Sequence, residues 1–213
     1  MEAWINNHIT LPVYRNESYE KENALSHFIG LVLALLALSW VISRYSSNAS
    51  MIVFSLSNII MYSSSFLYHY LKPGVFKRIM RIMDHSSIYL LIAGSYTPLL
   101  IYLGTPLAIG YAIGIWIVAV LGIFFTVRFW GRFYPLHIIL YALMGWSILS
   151  IWHEVSSLMP LDLIKCLIAG GTTYTTGILF YAFKKIPHNH LIWHIFVLAG
   201  SIIFFLGYMR NLL

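Results

Sequence analysis

Seven apolar runs of about twenty residues dictate what this chain can become, because a helix needs about 20 predominantly apolar residues to cross the hydrocarbon of a bilayer. On that ruler the runs fall at about 25–43, 51–70, 84–103, 106–127, 135–152, 162–182 and 191–210. Each is far longer than the roughly ten residues of a barrel strand. The pattern therefore predicts an all-α polytopic membrane protein, a seven-transmembrane helix bundle. Connections are short and punctuated by Pro73-Gly74, Gly104-Thr105-Pro106, Pro135, Pro160 and Pro187, which leaves no separate soluble domain. The expected division is a cytosolic N-terminal segment over 1–24 and the bundle over 25–213, with a metal site in its inner leaflet. The first two dozen residues carry Glu2, Glu17, Glu20 and Glu22 rather than a basic stretch leading into an apolar one. The first span is thus expected to act as its own uncleaved insertion signal.

Charge decides orientation. Only 9% of the chain is charged, against roughly a quarter in a soluble domain. A net charge of +6 would suit nucleic acid, but cations gathered in short loops are explained by membrane insertion, and no nucleic-acid partner is expected. Seven crossings put Arg15, Lys21, Lys72, Lys77, Arg78, Arg81, Arg128, Arg132, Lys184 and Lys185 on one face and Arg44, Lys165 and Arg210 on the other. The positive-inside rule then predicts a cytosolic N-terminus and an outside C-terminus, with the plasma membrane as the default location. A single cysteine, Cys166, excludes an internal disulfide and a cysteine-rich metal site.

The histidines collect on the predicted inner side. His190 and His194 lie four apart, so helical periodicity sets both on one face at the mouth of the last span. Two imidazoles at that spacing can hold one metal ion, and zinc accepts nitrogen at about 2.0–2.1 Å. On the same side His69 closes the second span, Asp84 and His85 open the third, His27 opens the first and His137 the fifth. Ionisable groups at such depths are functional candidates that face the bundle interior. Each has a plainer reading. His27, His85, His137 and His188 have no partner at ligand spacing and would rest at the lipid headgroups. Asp84 would cap its helix or pair with Arg81. Ser65, one turn before His69, would serve close helix packing along Ser63-Ser64-Ser65. Tyr68, Tyr70, Trp130 and Trp193 read as interfacial belt residues.

Four stretches carry a resemblance. Glu22 to Gly30 (ENALSHFIG), Ser65 to His69 (SFLYH), Asp84 to Pro98 (DHSSIYLLIAGSYTP) and Trp193 to Ser201 (WHIFVLAGS) resemble the bacterial haemolysin III proteins, in family order and over nearly the whole chain. That family is similar to the progestin and adiponectin receptors and, more widely, to membrane hydrolases that include alkaline ceramidases. The shared pattern of Ser-x-x-x-His, Asp and His-x-x-x-His falls on Ser65, His69, Asp84, His190 and His194. The resemblance implies that His69, His190 and His194 hold zinc near the cytosolic leaflet, with a water in the fourth position beside Asp84. One departure is Phe204, where many bacterial relatives carry a further histidine.

Three neutral histidines would leave zinc an open position, the arrangement of catalytic rather than structural sites. Zinc brings the pKa of bound water from 15.7 to roughly 7. Asp84 would act as general base, and Ser65 would orient the Asp or the oxyanion. The expected reaction is hydrolysis of a lipid amide or ester to a free fatty acid, with membrane lipid as the partner. Two other classes compete: a pore-forming or cytolytic protein, and a receptor-like regulator of membrane lipid state in which zinc merely clamps spans two, three and seven.

Overall fold

A computed structural model of the chain describes residues 2–12, 17–132 and 134–213, with the side chains of Tyr134 and Pro135 set aside. Arg15, counted among the inner cations, lies outside the described residues. The elements are α1 (Glu2–His8), α2 (Glu17–Tyr45), α3 (Ala49–Tyr70), α4 (Val75–Leu103), α5 (Pro106–Arg128), α6 (Tyr134–Trp146), a 3-10 turn (Ser147–Ile151), α7 (Trp152–Leu158), α8 (Leu161–Ala182) and α9 (Asn189–Leu212). Among the described residues there is no strand. Also among the described residues, seven helical segments are long and apolar enough to cross a membrane: α2, α3, α4, α5, the α6-to-α7 segment, α8 and α9.

α3 and α4 form the middle of the bundle. α2 packs on α3, α5 on α4 and α8 on α9, and contacts between α2 and α9 bring the first and last crossings together. α2 and α5 turn apolar side chains such as Leu35, Leu36, Val120, Leu121 and Phe124 outward, as a lipid-facing surface requires. The helix ends follow local chemistry. The Asn48 side chain accepts from Met51 N to start α3, Thr105 does the same for α5 ahead of Pro106, and Gly104, at φ 63°, ends α4 in the left-handed region that favours glycine. α3 and α4 approach so closely that a Cβ placed on Gly94 would lie 2.5 Å from the Cβ of Ser57.

Two features depart from the sequence pattern. α2 begins at Glu17, well ahead of its apolar run, because Glu17 and Glu20 in the first turn complement the positive end of the helix dipole. The fifth crossing, read as one run, breaks at Ser147–Ile151. A break in lipid needs new partners for the freed backbone groups. The Tyr96 hydroxyl of α4 supplies them, donating to the Gly145 carbonyl at 2.7 Å and accepting from Ile148 N at 3.1 Å. A second tie runs from the Tyr141 hydroxyl of α6 to the His85 carbonyl of α4 at 2.8 Å. Tyr96→Phe leaves the break unsatisfied and is expected to cost about 1–3 kcal/mol. Reversible unfolding in mixed detergent micelles measures it, and wild-type stability in the variant would refute this role.

Candidate metal centre

The last turn of α3 and the first two turns of α9 meet at one end of the bundle. The connection into α9 is tight: His188 takes a left-handed conformation at φ 54°, and the Asn189 side-chain amide donates to the Tyr181 carbonyl at 3.0 Å. His190 and His194 thereby face His69, and the three offer ligand nitrogens that all lie within 4.8 Å of one another. Ring centroids are 4.9 Å apart for His69 and His190, 5.1 Å for His69 and His194, and 4.6 Å for His190 and His194. The rings meet edge to face, at 88°, 68° and 85°, rather than stacking.

Hydrogen bonds select which nitrogen two of the rings offer. His69 Nδ1–H donates to Glu20 Oε1 at 3.0 Å, and its Nε2 is buried with no hydrogen-bond partner. His194 Nδ1 sits 3.3 Å from the Asn23 carbonyl, which can only accept, so Nδ1 carries the proton. The Ser26 hydroxyl, itself donating to that carbonyl, accepts from the same Nδ1–H at 2.9 Å. Both rings therefore keep the Nε2 lone pair for the cluster. A buried nitrogen without a partner is costly, and a cation shared with two further imidazoles satisfies it. Tetrahedral zinc spaces its nitrogens about 3.4 Å apart, a gap that side-chain torsions close from the observed spread. The donor set fits zinc.

A cavity of about 190 Å³ runs from this cluster into the bundle. Asp84, His190 and His194 form part of its wall, and Leu91, Val197 and Phe204 line an apolar part. Asp84 shares the cavity but stands outside the trio of ligand nitrogens, its Oδ2 3.7 Å from His85 Nδ1. Ser65 is fully buried one turn before His69, with no hydrogen-bond partner among the described residues, and it is not part of the cavity wall. Phe204 is buried against Tyr174, with ring centroids 5.6 Å apart.

Several groups that would rest at the headgroups are packed within the protein instead. His27 is 2% exposed and stacks on His194 at 3.6 Å and 17°, with both ring nitrogens unpartnered among the described residues. His137 is buried, its Nδ1 3.4 Å from the Thr126 hydroxyl. His85 is half-buried edge-on to Trp130, and Tyr68 is buried rather than part of an interfacial belt. His188 does stay near the surface, paired with Glu22 at 2.6 Å. Outside the spans, Lys184 lies 3.6 Å over the Tyr181 ring, and burial pushes its pKa down.

Sequence reasoning overlooked Glu20, Asn23 and Ser26, which hold the rings in place. A signal was available. Glu20, Asn23 and His27 fall at helical spacing, which marks one face of a helix that starts before the apolar run.

Comparison with known proteins bears on the kinship of the chain. The sequence profile of haemolysin-III-related proteins matches residues 16–205. The chain is 37% identical over 193 residues to Hemolysin-3 of Bacillus cereus, covering 87% of this chain and 88% of that protein. It is 38% identical over 189 residues to the Hemolysin-3 homolog of Bacillus subtilis, covering 85% and 89%. A more distant likeness, 30% over 132 residues and 61% and 54% of the two chains, reaches the human monocyte to macrophage differentiation factor.

Proposed function

Because the chain belongs to the haemolysin III family, a group of integral membrane proteins, we propose that its histidine cluster is a zinc site and that the protein hydrolyses lipid amides or esters beside it. Seven crossings make it a multi-pass protein, consistent with a place in the cell membrane. The observation that carries the proposal is the trio of imidazoles, with Nε2 left open on His69 and His194, beside a largely apolar cavity whose wall includes His190, His194 and Asp84. Zinc bound there supplies an electrophile and acidifies a water toward neutrality.

The chain's own residues do the rest. The apolar part of the cavity, around Leu91, Val197 and Phe204, takes an acyl chain and excludes water from it. The carbonyl carbon then lies toward the histidines. Asp84 takes the proton from the attacking water as the carbon–oxygen bond forms, and returns it to the departing amine or alcohol as the old bond breaks. The products are a free fatty acid and the deacylated headgroup. Loop charge supports placing this end of the bundle in the cytosol.

The test measures fatty-acid release from a broad lipid extract by zinc-loaded protein. Asp84→Asn is expected to keep its zinc and to lose about 10²–10⁴ in turnover. No release, while an alkaline ceramidase control is active, rejects the hydrolase. Zinc and biological role both surviving Asp84→Asn instead favours a structural clamp. Ion flux through liposomes that persists without His190 and His194 favours the cytolytic reading that the relatives' name carries.

A further inference from the structure

A lysine buried at the foot of a transmembrane bundle needs a reason. Lys77, in the first turn of α4, is 5% exposed. Its Nζ donates to Glu20 Oε2 at 3.0 Å, to the Leu71 carbonyl at 3.0 Å and, more weakly, to the His69 carbonyl at 3.4 Å. Glu20 accepts from His69 Nδ1–H through its other oxygen. Three helix ends, the start of α2, the end of α3 and the start of α4, thus meet in one relay from cation to carboxylate to imidazole.

Stability is a weak explanation for this relay. Taking two charges out of water costs about as much as their attraction returns, and well-packed apolar residues do as well or better. The relay does something apolar residues cannot. A carboxylate on Nδ1 fixes the tautomer, sets the ring plane and makes Nε2 a more basic donor, the usual role of a second partner behind a metal-binding histidine.

We propose that Glu20 and Lys77 are positioning residues of the metal centre: Glu20 aims and activates His69, and Lys77 holds Glu20 to it. The proposal rests on the zinc reading. It sets Glu20 apart from Glu22, also near the start of α2, which pairs with the half-exposed His188 and reaches none of the three imidazoles.

Zinc affinity of the full-length chain in detergent is measured by competition with a chromophoric chelator, and cobalt(II) absorption reports the ligand field. Glu20→Ala is expected to weaken zinc by about 10–100-fold and to shift the cobalt bands. Glu20→Gln keeps an oxygen for Nδ1–H without the charge and is expected to fall between wild type and Glu20→Ala. Lys77→Met is expected to weaken zinc less than Glu20→Ala does. Glu22→Ala is expected to stay within about twofold of wild type, because its pair with His188 lies near the surface. A wild-type chain that binds no zinc overturns this proposal together with the zinc reading. Tight wild-type binding that Glu20→Ala leaves unchanged overturns the positioning role alone. Should Glu20→Ala not fold, Glu20→Gln decides: a loss of about threefold or more supports the role, and equality with wild type ends it.

Discussion

Purified after zinc loading, the wild-type chain is expected to retain one zinc per molecule and His194→Ala none under the same washes. If the about 10–16 kcal/mol of a four-ligand zinc site is shared evenly, one imidazole contributes about 2.5–4 kcal/mol, or on the order of 10²–10³ in affinity. His194 is held from several sides. Its Nδ1 is already committed to Asn23 and Ser26, and His27 stacks on its face, so removal also leaves His27 without its neighbour. His137→Ala is the matched control, because it changes the wall of the same cavity without touching the trio. Metal analysis by mass spectrometry reads both. One zinc retained by His194→Ala, or lost equally in His137→Ala, would remove the basis for a metal centre here.

The second large effect concerns packing. Gly94→Val is expected to destabilise the bundle by more than about 3 kcal/mol, above the usual about 1–3 kcal/mol of overpacking. The obstacle to a side chain at Gly94 is the Ser57 Cβ, which is fixed to its backbone and cannot rotate away, so α3 and α4 must move apart. That separation also displaces His69 relative to α4. Gly114 on α5 makes the contrast, since a Cβ there would meet nothing within 4 Å. Gly114→Ala is expected to be neutral or to stabilise by up to about 1 kcal/mol through helix propensity alone. Unfolding midpoints in mixed micelles compare them, and equal midpoints for Gly94→Val and wild type would refute the close approach.

The crossings were legible because hydrocarbon thickness sets a length that composition must meet, and all seven runs meet it. That ruler measures only the apolar part of a helix. It overlooked the early start of α2, and with it Glu20, which owes its place to dipole complementarity and hydrogen bonding. His190 and His194 could be paired from spacing, since four residues on a helix fix a shared face. Which other histidine joins them could not be read the same way. His27, His69, His85 and His137 all lie toward one side of the chain's topology, and only the mutual rotation of packed helices separates the one that completes the trio. The same rotation buries Tyr68, whose residue type suggested an interface. The break at Ser147–Ile151 left no mark, because it depends on a hydroxyl reaching in from another helix.

Those tyrosine ties set a dimension. α6 makes few contacts with its neighbours, yet it is fastened to α4 at two levels through the far ends of Tyr96 and Tyr141. Each phenol is a rigid strut that bears at its backbone root and at its hydroxyl tip. The stand-off between the two helices is therefore the length of an aromatic side chain, and the hollow between them is a gap held open rather than one left unfilled. Shortening either strut would draw the wall inward and change what can fit.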